Sequence, residues 1–171
     1  MLEGWSDFFL MVGSSGTALI GLLFVVITLT TGKDRESTLT SADLYMSPIV
    51  FHLAGCFVVS AAAMAHGMPL WGFATAAILL GVLGMLLGVR ILLGMRRPDA
   101  PVPHWSDPWC YGVAPLVLYA ALAGAGLTVL DGRPWGIGLT GAIIVGLLLL
   151  AIRNAWDLVT WLAPDDHKEG H

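Results

Sequence analysis

The stretch WGIGLTGAIIVGLLLLAIRNAWDLVTWL, from Trp135 to Leu162, decides the fold class of this chain. Its first 18 residues, Trp135 to Ile152, contain no charged side chain, and Arg153 follows them. A transmembrane helix needs about 20 mostly apolar residues, because the hydrocarbon core of a bilayer is about 30 Å thick. This run is slightly short. We therefore predict that the helix continues to Leu162 through the interfacial layer, with Arg153 extending toward the headgroups.

The rest of the chain repeats this pattern. Hydrophobic residues make up 57% of it and charged residues 12%, against about 45–50% and 25% in soluble domains. Only helices or closed barrels satisfy the backbone inside a bilayer, and no stretch alternates as a barrel strand would. The sequence therefore predicts an all-α fold, a polytopic membrane bundle of five transmembrane helices. The other four predicted spans are Phe8 to Thr31, Leu44 to Ala65, Met68 to Val89 and Trp109 to Leu130.

The spans define one predicted domain. Residues 1–163 form a single transmembrane helical domain, and residues 164–171 form a polar tail. The first span differs from a signal peptide because Glu3 and Asp7 precede it instead of lysine or arginine, and because its apolar run is longer. We therefore predict that the first span is a retained helix.

The basic residues predict the orientation of the bundle. Five spans place the two termini on opposite sides and divide the loops into two sets. One set of loops and ends holds seven Lys and Arg residues and the other holds one. Because Lys and Arg accumulate in cytoplasmic loops, this asymmetry predicts an outside N-terminus and a cytoplasmic C-terminus. The larger set is Lys33, Arg35, Arg90, Arg96, Arg97, Arg153 and Lys168, and the smaller set is Arg133 alone.

Small residues at four-residue spacing occur in four of the spans. Helices in lipid associate where such residues let their backbones approach closely. We expect these positions to form the internal contacts of the bundle, with some surface left for self-association or a partner. They are Gly13, Thr17 and Gly21; Ala77 and Gly81, then Gly84 and Gly88; Ala120 and Gly124; and Gly138, Ala142 and Gly146.

His52 is the ionisable residue placed deepest in a predicted span. It lies eight residues beyond Leu44, roughly 12 Å into the span. Two interpretations are open. It is either a neutral histidine hydrogen-bonded across a helix interface, or part of a functional polar path. Cys56 and Ser60 follow on the same face, and the hydroxyl partners expected for His52 are Ser14, Ser15 and Thr17 of the first span.

Charged residues cluster at the predicted cytoplasmic end. Arg153 and Asp157 are four residues apart and share a helix face, with Asn154 beside them. They either pair at the interface and anchor the fifth span, or form the inner mouth of a polar path. Asp43 and Arg90 reach the same level and would complete a network of four charges.

The run HWSDPWC carries three residue types that ligate metals. His104, Asp107 and Cys110 are spaced by three, but a tetrahedral site usually has a tighter pair spacing, and Pro108 interrupts the helix. These residues are weak metal candidates, and a turn before the fourth span is the alternative. The chain has no phosphate-binding loop, paired-histidine zinc motif or nucleophile elbow, and no basic patch suited to nucleic acid. We predict no cofactor.

The two ends of the chain carry a resemblance. The opening WSDFFLMVGSSGTALIGLLFVVITL, and the segment Asn154, Ala155 and Trp156 after the last span, resemble a loose group of small uncharacterised bacterial integral membrane proteins with five helices. The resemblance covers the first and last spans. It implies a multi-pass protein of the bacterial inner membrane and assigns no catalytic or binding residue.

Three functions fit these observations. The first is a membrane protein that acts by interaction with a membrane partner, as a subunit or an assembly or regulatory factor. The second is a small oligomeric channel or transporter with a polar path near His52. The third is a metal-dependent or redox membrane enzyme using His52, Cys56, His104 and Cys110. The missing catalytic motifs favour a protein that is not an enzyme.

Overall fold

The computed structural model describes residues 2–30, 35–95 and 108–162, with the backbone alone described at residues 3, 30, 35–46, 161 and 162. All regular structure in these segments is helical. A 3-10 helix at Leu2–Trp5 opens the chain, and a π-helical segment at Pro108–Val113 leads into the fourth long helix. The five long helices are α1 Ser6–Thr30, α2 Arg35–Met64, α3 Leu70–Gly94, α4 Ala114–Leu130 and α5 Trp135–Leu162.

All five long helices include a stretch long and apolar enough to cross a membrane, which confirms the predicted helical class. The helix α5 runs unbroken through Arg153 to Leu162, as predicted from the short apolar run. The candidate spans are Ser6–Leu29, Ser47–Met64, Leu70–Gly94, Pro108–Leu130 and Trp135–Thr160.

Two helices are longer than the apolar pattern predicts. The helix α2 begins at Arg35, well before the predicted start at Leu44, and therefore holds Pro48 in its interior. The helix α3 continues past Arg90 to Gly94. A helix satisfies its own backbone hydrogen bonds, so it continues into a polar environment without a penalty. The apolar run therefore marks the span and not the ends of the helix.

The helices form a closed bundle. Each one packs on its neighbour in chain order, α5 returns to contact α1, and α2 packs on α5 across the middle. Gly67 and Gly132, with φ of 74° and 73°, lie in the turns before α3 and α5. Such left-handed backbone favours glycine. The centre of the bundle is formed by fully buried side chains that include Phe9, Ile49, Leu53, Leu122, Ile144 and Leu147.

The closest helix contact, between α3 and α4, depends on small residues. A methyl group at Gly81 would lie 2.8 Å from the carbonyl oxygen of Tyr119, and one at Gly126 would lie 2.9 Å from that of Ala74. The two backbones are therefore nearly in contact. This confirms the expectation for α3, where all four predicted positions are buried: Ala77, Gly81, Gly84 and Gly88.

Other small residues lie on the outside of the bundle. A methyl group at Gly21 or Gly124 would have no atom within 4 Å, and Ala120 is exposed beside Gly124. In α1 only Gly13 of the predicted set packs against another helix. The prediction of internal contacts is therefore wrong for Gly21 in α1 and for Ala120 and Gly124 in α4, which lie on the outward faces of their helices.

Candidate functional site

His52 is 1% exposed and lies in the interior of the bundle. Its Nδ1 atom is 2.8 Å from the phenolic oxygen of Tyr119 in α4. Tyr119 is eleven residues from each end of the candidate span Pro108–Leu130, which places it about 16 Å from either end at 1.5 Å per residue. The pair therefore lies at the middle of the bundle, in agreement with the depth expected for His52.

The Tyr119 ring packs against two neighbouring helices, α2 and α3. It packs against Phe51 of α2 with ring centroids 5.7 Å apart, and a methyl group at Gly84 of α3 would overlap it. One hydrogen bond joins the Tyr119 hydroxyl to Nδ1 of His52, and the tautomer of His52 decides which atom donates. Nε2 of His52 has no hydrogen-bond partner among the described residues.

The hydroxyl partners predicted for His52 are not the ones that the structure shows. Ser15 donates to the carbonyl oxygen of Met11 at 2.8 Å, and Thr17 donates to that of Gly13 at 2.9 Å. Ser14 and Thr17 are exposed on the outside of α1. Hydroxyls in a helix readily bond to the carbonyl one turn back, so the hydroxyls of Ser15 and Thr17 are satisfied within α1.

Cys56 and Ser60 continue the His52 face of α2, as the sequence predicts. Cys56 is fully buried, and its thiol donates to the carbonyl oxygen of Ile144 in α5 at 3.3 Å. Ser60 is 2% exposed, and its hydroxyl has no hydrogen-bond partner in the described part of the chain. Of the three residues, Ser60 is the nearest to the outer surface of the bundle, because it lines a groove there.

A second buried polar cluster joins α5 to the π-helical segment. Asn154 is fully buried, and its Nδ2 atom donates to the carbonyl oxygen of Cys110 at 3.0 Å. The Tyr111 hydroxyl donates to the carbonyl oxygen of Asn154 at 3.1 Å. In a π-helical turn the Cys110 carbonyl would pair with the N–H of residue 115, which is proline and has none. Asn154 supplies the missing donor.

Arg153 and Asp157 form the pair expected from their spacing. The Nη1 atom of Arg153 is 3.9 Å from Oδ2 of Asp157 and donates to Oδ1 of Asn154 at 3.1 Å. Both charged side chains are nearly half exposed. The Asp43 side chain lies outside the described residues, and Arg90 has no ion pair within them. Among the described side chains, Arg153 and Asp157 therefore pair with each other, and the four-charge network stays a prediction.

The proposed metal ligands are described only at Cys110. His104 and Asp107 lie outside the described residues, and Cys110 is a half-buried free thiol. Within residues 2–30, 35–95 and 108–162, no three His, Cys, Asp or Glu side chains are grouped as metal ligands. The metal site and the redox enzyme stay predictions.

The predicted polar path is divided among three places. His52 is buried in one cluster, Asn154 is buried in another with Arg153 beside it, and Ser14 and Thr17 lie on the outside of α1. Large apolar side chains fill the interior around His52. The described residues of one chain therefore form no continuous polar route, and a channel between several copies stays a prediction.

An open groove of about 540 Å³ runs along the outer side of α1 and α2. Its walls carry small side chains, and longer ones, such as Leu10, Phe57 and Met64, line it as well. A methyl group at Gly13 would lie 2.9 Å from Cβ of Ser60. Glycine at this position therefore lets α1 lie directly against Ser60. The small residues of the groove are Gly13, Ser14, Thr17, Ala18, Ser60 and Ala61.

The five apolar helices indicate a multi-pass membrane protein of the helical class. Comparison of the chain with protein-family models, curated proteins and solved structures gave no match.

Proposed function

We propose that this chain is a multi-pass protein of the bacterial cytoplasmic membrane that acts by binding another membrane protein, as a small subunit or an assembly or regulatory factor. The groove between α1 and α2 carries this proposal, because it is an outward-facing surface and six of its ten lining residues are small. Small residues on a helix surface permit close association with another helix in lipid. The bundle has a tightly packed interior around His52 and Tyr119, which favours binding over conduction.

The distribution of burial supports the same proposal. In the most apolar stretch of α1, 22% of the residues are buried inside the bundle, against 50% in α2 and 44% in α5. The helix α1 therefore offers most of its surface to its surroundings. Lipid alone would cover an apolar helix, but it would not require small and hydroxylated residues along one groove. We therefore assign the outward face of α1, which forms one wall of the groove, as the binding side of the protein.

We further propose that the N-terminus lies outside and the C-terminus lies in the cytoplasm. The asymmetry of Lys and Arg supports this orientation. Exposed tryptophans near helix ends support a transmembrane placement, since tryptophan concentrates at both membrane interfaces. They are Trp71 and Trp135 on one side and Trp109 and Trp156 on the other. A C-terminal fusion to green fluorescent protein should fluoresce, and a C-terminal fusion to alkaline phosphatase should be inactive.

Mild extraction from the source membrane tests the function. The tagged chain, expressed at its native level, is extracted with its surrounding lipid by a styrene–maleic acid polymer, sized, and measured by quantitative mass spectrometry. We expect a different membrane protein in fixed stoichiometry with the chain. A preparation that contains only this chain, as one copy or as a homo-oligomer, would contradict the proposal and favour the channel hypothesis.

A further inference from the structure

We draw no further inference here: the strongest candidate, the second outward groove, which lies between α1 and α5 and is lined by apolar side chains that include Leu23, Ile152 and Trp156, carries nothing, because nothing in the described part of the chain shows what covers it.

Discussion

Nδ1 of His52 lies 2.8 Å from the phenolic oxygen of Tyr119, at the middle of the bundle. The two residues are 67 positions apart in sequence and belong to α2 and α4. Tyr119→Phe removes the hydroxyl but keeps the ring packed on Gly84. We expect a loss of about 0.5–2 kcal/mol in unfolding free energy, since a membrane-buried bond is lost and an imidazole nitrogen loses its partner.

Reversible unfolding of the purified chain in mixed micelles, titrated with sodium dodecyl sulfate, measures this loss. Thr75→Val is the control, because Thr75 is exposed and donates to the carbonyl oxygen of Trp71 in its own helix. A double-mutant cycle with His52→Phe should show that the two losses are not additive. Additive losses would mean that His52 and Tyr119 do not interact.

Gly84 determines how closely α3 can approach the Tyr119 ring. A methyl group at this position would overlap that ring, and Tyr119 is fully buried and cannot turn away without leaving His52. Gly84→Ala should therefore cost about 1–3 kcal/mol, as overpacking of a core does. Gly124→Ala is the matched control, because no atom lies within 4 Å of the added methyl group. Equal effects on the unfolding midpoint would contradict the packing described for α3 and α4.

Asn154 should contribute more to stability than the two charges beside it. Asn154→Ala leaves the Cys110 carbonyl without its side-chain donor, and we expect a cost of about 1–3 kcal/mol. Arg153→Gln breaks a pair whose side chains are 41% and 47% exposed, for which the expected cost is at most about 1 kcal/mol. The same unfolding titration compares both variants. A larger effect at Arg153 would indicate that the charges hold this end of α5.

The two cysteines should differ in reactivity. Cys56 is fully buried, whereas Cys110 is half-buried. In the folded protein, N-ethylmaleimide should modify Cys110 within minutes and leave Cys56 unmodified, and both thiols should react after denaturation. Peptide mass spectrometry gives the two extents separately. Modification of Cys56 in the folded state would reveal a water-accessible route to the His52 face and would strengthen the channel hypothesis.

The sequence predicts the helices because their number follows from the bilayer thickness and the charge pattern alone. The continuation of α5 beyond Arg153 was also predictable, since Ile152 ends the apolar run a little too early. The start of α2 at Arg35 was not, because hydropathy reports the apolar span and gives no signal where a helix continues past it.

The partners of the polar residues were harder to predict. The depth of His52 follows from its position along α2, but Tyr119 becomes its partner only through the rotation of α4 about its axis. When a helix is apolar on all sides, its sequence contains little information about that rotation. The spacing groups Asn154 with Arg153 and Asp157, although the Asn154 side chain is buried and bonds to the Cys110 carbonyl. Pro115 was the available signal, since a proline leaves a carbonyl one turn earlier without its amide donor.

The unbroken course of α5 also makes the protein accessible to imaging. A chain of 18.1 kDa is too small to align by itself in electron cryomicroscopy. Because α5 continues as one helix to Leu162, a soluble marker joined there through a continuous helical linker would keep a fixed orientation relative to the bundle. Images of such a fusion would give the alignment signal needed to observe the bundle directly.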